Sequence, residues 1–172
     1  AKLSAVDTSK SAAQQSIALV ERKLKNDIHS ITLRVLAKRE LINIVAQYLE
    51  AYPLFKTTQE TVKYSATLAD LDCENEENFK SVMNMWNVLI YESSDAKKAR
   101  HPLATKAKVD AKISTDIRQI YEYYHSDIEM VVEEGKHKLA QSIQRIFNDC
   151  IGRKPVTPTD WMNAYLVFLG RM

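Results

Sequence analysis

Residues that interrupt helices are scarce along this chain. Its 172 residues include only three glycines and four prolines, whereas sheet-rich folds need turn residues at short, regular intervals. A chain of this length can bury its own core, and 45% hydrophobic with 27% charged residues is typical of a globular protein. We therefore expect a single all-α domain spanning residues 1–172, with element boundaries set by the spacing of apolar residues.

The first pattern is an apolar stripe whose members recur at steps of three and four, with one gap near Lys38. Such a stripe is typical of one face of a helix. It predicts one helix from about Ser11 to Ala51, because Pro53 biases the residue before it away from α conformation. The members of the stripe are Ala13, Ile17, Val20, Leu24, Ile28, Ile31, Val35, Ile42, Val45, Leu49 and Tyr52.

A second stripe with the same spacing predicts another long amphipathic helix over about 103–151. The stripe passes Gly135 without a change of phase, which favours one continuous helix. The alternative is that Gly135 caps a helix and the chain turns back there. Gly152 ends the pattern in either case. The members of this stripe are Leu103, Val109, Ile113, Ile117, Ile120, Tyr124, Ile128, Val131, Leu139, Ile143, Ile146 and Cys150.

Two shorter helices are predicted between the long ones. Thr57 and Glu60 have the spacing of a capping box, which opens a helix near residues 58–71. Asn75 offers its side-chain oxygen as the cap of the next helix, over 76–92. The residues expected to be buried are Val62, Ala66 and Leu68 in the former and Phe79, Val82, Met83, Trp86 and Leu89 in the latter.

A terminal helix follows two prolines and is apolar on nearly every side. Pro155 and Pro158 are expected to delay it until Thr159 or Asp160 provides a cap. Such a helix either closes the end of the bundle or docks into a groove of a partner. The second reading makes a candidate partner interface of Trp161, Met162, Tyr165 and Phe168.

Two long helices joined through shorter ones predict an elongated antiparallel bundle, with coiled-coil-like packing of the first helix beside the fourth. A helix that extends beyond its partners within the chain leaves part of its apolar stripe exposed. We therefore expect a non-enzymatic protein-interaction or assembly module that self-associates as a homodimer or a larger assembly.

The charge pattern offers an alternative function. A net charge of +2 is too small to draw the whole molecule to a polyanion, but segment 97–112 is locally basic and only Asp110 opposes it. This segment predicts contact with RNA or an anionic membrane surface, with an affinity that falls steeply with salt. The contact residues would be Lys97, Lys98, Arg100, Lys106, Lys108 and Lys112.

Two Glu-x-x-His pairs, Glu122/His125 and Glu134/His137, have the spacing that lets a carboxylate and an imidazole bind one metal ion. On one continuous helix the pairs would be roughly 18 Å apart, too far to share a dimetal centre. Only a sharp hairpin would bring them together. The sequence therefore predicts no metal site and no cofactor.

A third candidate function comes from Arg118 and His125, which have six residues between them. This pair superficially resembles the Arg-x(4–6)-His motif of the HEPN ribonucleases, which are small all-helical proteins that usually act as dimers. The resemblance covers only these residues, and Arg22 and His29 repeat the spacing. It implies a second alternative, metal-independent cleavage of RNA at a dimer interface.

The remaining features point to no further chemistry. Cys73 and Cys150 lack the spacing of a zinc site, and free thiols are typical of a reducing compartment. The longest apolar stretch, Trp161 to Leu169, is too short to cross a membrane. The first residues lack the apolar core of a secretory signal, although a signal already removed would leave no trace. A cytoplasmic protein is expected.

Overall fold

The computed structural model of the protein describes residues 2–94, 112–125 and 133–172, with side chains from residue 11 onward except those of residues 133, 134 and 136. Within these ranges every regular element is helical, apart from an isolated antiparallel bridge between Phe55 and Ser94. The predicted all-α class is confirmed. The helices are α1 (Lys2–Glu50), α2 (Gln59–Asp70), α3 (Glu76–Trp86) with a π-helical continuation (Asn87–Glu92), α4 (Lys112–His125), α5 (Glu133–Ile151) and α6 (Pro158–Gly170).

The long first helix is confirmed, and it begins earlier than the stripe predicted, at Lys2. Its 49 residues span about 73 Å at 1.5 Å per residue. The helix ends as expected before Pro53. Ala51 adopts the left-handed conformation with φ 66°, and its N–H donates to the carbonyl of Gln47 at 3.1 Å. A left-handed residue at this position closes the last helical turn.

The second long helix is instead an antiparallel hairpin of α4 and α5. Arg145 Nη2 on α5 donates to Asp116 Oδ1 on α4 at 2.8 Å, whereas on one continuous helix these residues would be about 43 Å apart. The predicted continuity is therefore wrong. α4 ends at His125, and Gly135 lies inside α5, which begins at Glu133; residues 126–132 are outside the described residues. The stripe did not reveal the two helices because both turn an apolar face to the same core, and the spacing of apolar residues does not depend on the direction of the helix axis.

The neighbours of α1 also differ from the prediction. Among the described residues, α1 packs mainly against α6 and then against α2, whereas the sequence placed the fourth helix beside it. α6 also contacts α3 and α5, so it occupies the centre of the bundle. Its near-uniform apolarity follows from this position, because a helix surrounded by others has few sides left for polar residues.

Aromatic rings hold the helices around α6. Phe79, Phe147 and Trp161 form a mutual cluster with centroid distances of 5.4–5.5 Å, which joins α3, α5 and α6. Trp86 is fully buried, and its Nε1 donates to the hydroxyl of Tyr165 at 2.9 Å. The phenol oxygen thus satisfies the indole N–H inside the core, as a buried indole requires.

The helix caps were predicted at the right places, but the residues differ in two of three cases. Asn75 caps α3 as expected, with its side chain accepting from Asn78 N. For α2 the cap is Thr58, one residue beyond the predicted Thr57. Of the residues predicted to be buried, Leu68 is buried as expected, whereas Val62 and Ala66 are exposed and Thr61 is buried instead.

α6 begins at Pro158 itself rather than at a cap after it. Thr157 is the cap, and Asp160 completes the capping box by accepting from the backbone N–H of Thr157. The prediction of Thr159 or Asp160 as the cap is wrong because proline is well suited to the first helical position, where its missing N–H has no partner to lose.

Polar side chains on the inner side of α1 fasten the chain that follows this helix. Asn43 pairs with both backbone groups of Phe55, accepting from its N–H at 2.8 Å and donating to its carbonyl at 2.9 Å. Arg39 is 4% exposed and donates to the carbonyls of Leu89 and Lys56 at 3.0 and 3.2 Å. These bonds hold the segment after α1, and the π-helical end of α3, against the core side of the helix.

We expect Asn43→Ala to destabilise the protein by about 2–4 kcal/mol, because it leaves a buried N–H and a buried C=O of Phe55 without partners. Urea unfolding followed by circular dichroism measures this change. The control is Gln47→Ala on the exposed side of the same helix, where the expected change is about 0.5 kcal/mol or less. Equal losses in the two variants would contradict the role given to Asn43.

The capping box of α6 predicts a pH-dependent contribution to stability. A hydrogen bond from Arg153, with further bonds from the backbone of Thr157 and Val156, lowers the pKa of Asp160 to about 2. Because the folded pKa lies below the ordinary value, this stabilisation is complete above about pH 4 and is lost as the pH falls towards 2. Asp160→Asn should therefore lower the melting temperature at pH 7 but have little effect near pH 2. A difference that is constant with pH would contradict this assignment.

Candidate interaction surface

The second half of α1 has the opposite polarity from an ordinary surface helix. Its core side carries Thr32, Arg39 and Asn43, all buried, alongside Val35 and Ala46. Its solvent side carries five large apolar residues, which we call the outer face of α1. They are, with their exposed fractions, Leu41 (58%), Ile44 (66%), Val45 (40%), Tyr48 (88%) and Leu49 (57%).

The outer face is one continuous surface. Leu41, Val45 and Tyr48 follow one another at steps of four and three, so they lie along one side of the helix, with Ile44 and Leu49 on its two flanks. The opposite side contains Arg39, Asn43 and Ala46, which face the segment after α1 and the π-helical end of α3. Single exposed apolar residues are ordinary, but five neighbours on one helix side form a patch, which makes this surface a candidate interaction site.

The predicted stripe of α1 is confirmed in its middle and wrong at both ends: its first members, Ala13, Ile17 and Val20, are exposed, and so are its members after Lys38. Leu24, Ile28 and Val35 are buried as expected. Beyond the gap near Lys38 the buried positions continue through Arg39, Asn43 and Ala46, while the predicted Ile42, Val45 and Leu49 are exposed. The gap is therefore the place where the apolar residues pass from the core side of the helix to the solvent side.

Positive charge lies next to the outer face on its N-terminal side. Lys38 lies one turn before the apolar patch and Arg34 lies two turns before it, and both are exposed on the same side of the helix. Towards its C-terminus the helix presents its last carbonyls, which carry the negative end of the macrodipole. The solvent side of α1 is thus basic, then apolar, then weakly negative along its length.

A shallow groove of about 330 Å³ lies between α1 and α2, beside the outer face. Two of its three hydroxyl groups already donate within the chain, since Thr61 donates to the carbonyl of Thr58 and Ser65 to that of Thr61, and Thr57 is the third. Arg39 is bound to carbonyls, and Glu40 adds a negative charge. Most of the donors that an anionic ligand would need in this groove are therefore already paired.

The residues predicted as a partner interface on the terminal helix lie in the core. Trp161, Met162, Tyr165 and Phe168 are each 5% exposed or less. They fill the centre of the bundle, in agreement with the alternative that this helix packs within the chain. A partner could reach them only if α6 left the core.

The predicted polyanion contacts fall almost entirely outside the described residues. Lys97, Lys98, Arg100, Lys106 and Lys108 lie in segment 95–111, which is not described, and Lys112 is exposed as the first residue of α4. Binding of RNA or an anionic membrane through this segment stays a prediction.

Arg118, one half of the ribonuclease-like pair, has a structural environment. Its Nε donates to Glu122 at 2.7 Å, and its guanidinium lies over the rings of Tyr91 and Tyr121 at 5.3 and 5.1 Å. His125 is exposed and stacks on Tyr121. These contacts join α4 to the π-helical segment. They also engage the guanidinium of Arg118, which is the charged group that would act on a phosphate. The ribonuclease activity stays a prediction without a supporting contact.

The hairpin changes the geometry assumed for the two Glu-x-x-His pairs, because it places one pair on α4 and the other on α5. His125 and His137 are both exposed, and His137 Nε2 lies 2.9 Å from Gln141 Nε2. The side chain of Glu134 is outside the described residues. Among the side chains that are described, no three of the metal-binding types come together, so we assign no metal site.

Comparisons with family models, curated proteins and solved structures find no match to this chain. Within the described residues, none of the helices combines the length and apolarity needed to cross a membrane. The outer face of α1 is therefore interpreted from its own geometry alone.

Both native thiols should react slowly while the protein is folded. Cys73 is fully buried and Cys150 is half-buried, and burial raises the pKa of each thiol. At pH 8 we expect alkylation by iodoacetamide to be at least about ten-fold slower in the folded protein than in urea, because the thiolate is the reactive form. Mass spectrometry counts the added groups. Equal rates in the two conditions would contradict the burial of these thiols.

Proposed function

We propose that this protein is a non-enzymatic helical assembly module that self-associates through the outer face of α1. The supporting observation is the run of Leu41, Ile44, Val45, Tyr48 and Leu49 on the side of the helix opposite the core. The fold buries Arg39 and Asn43 but leaves these apolar side chains in water. Their burial stabilises the protein only when another surface covers the outer face.

The size of the outer face suits a partner protein. Four of its five side chains are more than half exposed. Together they present on the order of 600 Å² of surface, close to the roughly 800 Å² that each partner contributes to a standard interface. Leu33 and Ile42, at 45% and 39% exposure, extend the patch at its edges. It is larger than most apolar patches on monomeric proteins.

A second copy of the chain fits this surface for two reasons. A straight helix side lined by leucine, isoleucine, valine and tyrosine is complementary to another surface of the same kind, because helices pack by interleaving such side chains. Symmetric pairing also needs no other partner, and two-fold homodimers are by far the commonest assemblies of soluble chains.

Leu41→Glu should abolish self-association, because the dimer would bury two unpaired carboxylates. The expected loss is about 3 kcal/mol or more, which is a hundred-fold or greater weakening of the dimer. Light scattering across protein concentrations should give about twice 19.7 kDa for the wild type and 19.7 kDa for the variant. Circular dichroism should show equal helix content in both proteins.

The matched control is Leu19→Glu, the same substitution on the same helix at a residue that is 67% exposed and outside the outer face. Its mass should equal that of the wild type. A wild type that is monomeric at every concentration, or a Leu19→Glu that is as monomeric as Leu41→Glu, would refute the proposal. Sedimentation with anionic lipid vesicles by a monomeric wild type would assign the face to a membrane surface instead.

A further inference from the structure

We infer that the two copies pair with their α1 helices antiparallel, with the two-fold axis passing between Ile44 and Val45. This inference rests on the proposed self-association and specifies its geometry. In this arrangement Leu41 of one copy lies opposite Tyr48 of the second copy, and Ile44 lies opposite Val45 of the second copy. The observations that carry it are the positions of charge along α1 and the path of the chain beyond it.

The first argument is charge. Arg34 and Lys38 are exposed on the same side of α1 as the outer face. Parallel pairing would set each of them against its own copy across the interface, within the Debye length of about 8–10 Å over which charges in salt still repel. Antiparallel pairing about the stated axis separates the two Lys38 residues by about 20 Å and the two Arg34 residues by about 31 Å.

The helix ends favour the same orientation. In the antiparallel arrangement Lys38 of one copy lies beside the last turn of the other α1, where the unpaired carbonyls of the helix carry negative charge. At each end of the interface, the basic residues of one copy therefore lie beside the C-terminal carbonyls of the other copy. Parallel pairing would instead bring the like ends of the two macrodipoles together.

Side-chain size gives a further reason. Tyr48 is the largest and most exposed residue of the outer face. Parallel pairing would bring each Tyr48 against its own copy, at one end of the patch. Antiparallel pairing sets Tyr48 against Leu41 of the second copy and brings Ile44 and Val45 of both copies together at the centre. Large and small side chains then alternate along the interface, as in well-packed cores.

The path of the chain after α1 leaves room for the second helix. Asn43 and Arg39 hold Phe55 and Lys56 to the inner side of α1, so the chain turns towards the core as soon as the helix ends at Glu50. In the antiparallel arrangement the second α1 must continue past this end, on the outer side. Phe55 and Lys56 therefore lie away from the outer side at this point.

The test is disulfide formation between single cysteines placed on the outer side of α1. Val45→Cys puts two thiols next to the proposed axis, within the Cα separation of about 4.4–6.8 Å that a disulfide needs. Lys38→Cys is the matched variant on the same side of the same helix, with its two thiols far apart. The buried native thiols contribute a background that the unsubstituted protein measures.

Under mild oxidation we expect Val45→Cys to form covalent dimers at least ten times faster than Lys38→Cys. Rapid cross-linking by both variants would overturn the antiparallel orientation while leaving self-association through this face intact. Light scattering of each reduced variant distinguishes the remaining outcomes. A dimeric mass with no cross-link at Val45→Cys would overturn the stated axis, and a monomeric mass for the unsubstituted protein would overturn the proposed function as well.

Discussion

The pairing of Asn43 with the backbone of Phe55 decides which way the second half of α1 faces. One amide side chain satisfies an N–H and a carbonyl of an irregular segment, whose one β-bridge within the described part of the chain joins Phe55 to Ser94. Burying such backbone groups without partners would be costly. Once Asn43 and Arg39 turn inward to satisfy them, helical geometry forces Leu41, Val45 and Tyr48 outward. The apolar outer face is thus the consequence of a polar requirement on the other side of the same helix.

This relationship shows where the sequence was informative and where it was not. Periodicity identified α1, its end before Pro53 and the buried residues Leu24 and Ile28, because these depend on spacing along one helix. It failed beyond Lys38, because the burial of polar residues there depends on a loop whose bonding groups are not visible in a hydropathy pattern. A signal existed, since Arg39 and Asn43 are four residues apart and apolar residues lie between them.

The hairpin of α4 and α5 was missed for a different reason. Both helices contribute apolar residues in a phase that matches across the intervening segment, so the stripe gave no sign of a reversal. Asp116 shows how the two helices are arranged. Its side chain is buried, with the residue 1% exposed, and its carboxylate lies between Arg145 and Arg171. A lone aspartate on an apolar helix face requires cationic partners brought from elsewhere in the chain. That requirement was present in the sequence, although the identity of the partners was not.

The central position of α6 has a consequence for the order in which the molecule can form. α6 follows the other described helices in the chain, yet it supplies Tyr165 to the buried Trp86 and is the main neighbour of α1. During synthesis, α1 therefore emerges more than a hundred residues before the helix that covers its inner side. Until α6 is made, α1 presents apolar residues on both its sides, Ile28 and Val35 inward and the outer face outward. Contacts between segments so distant in sequence form late in folding. A nascent chain of this protein is thus exposed to premature association for longer than a helical bundle closed by neighbouring segments.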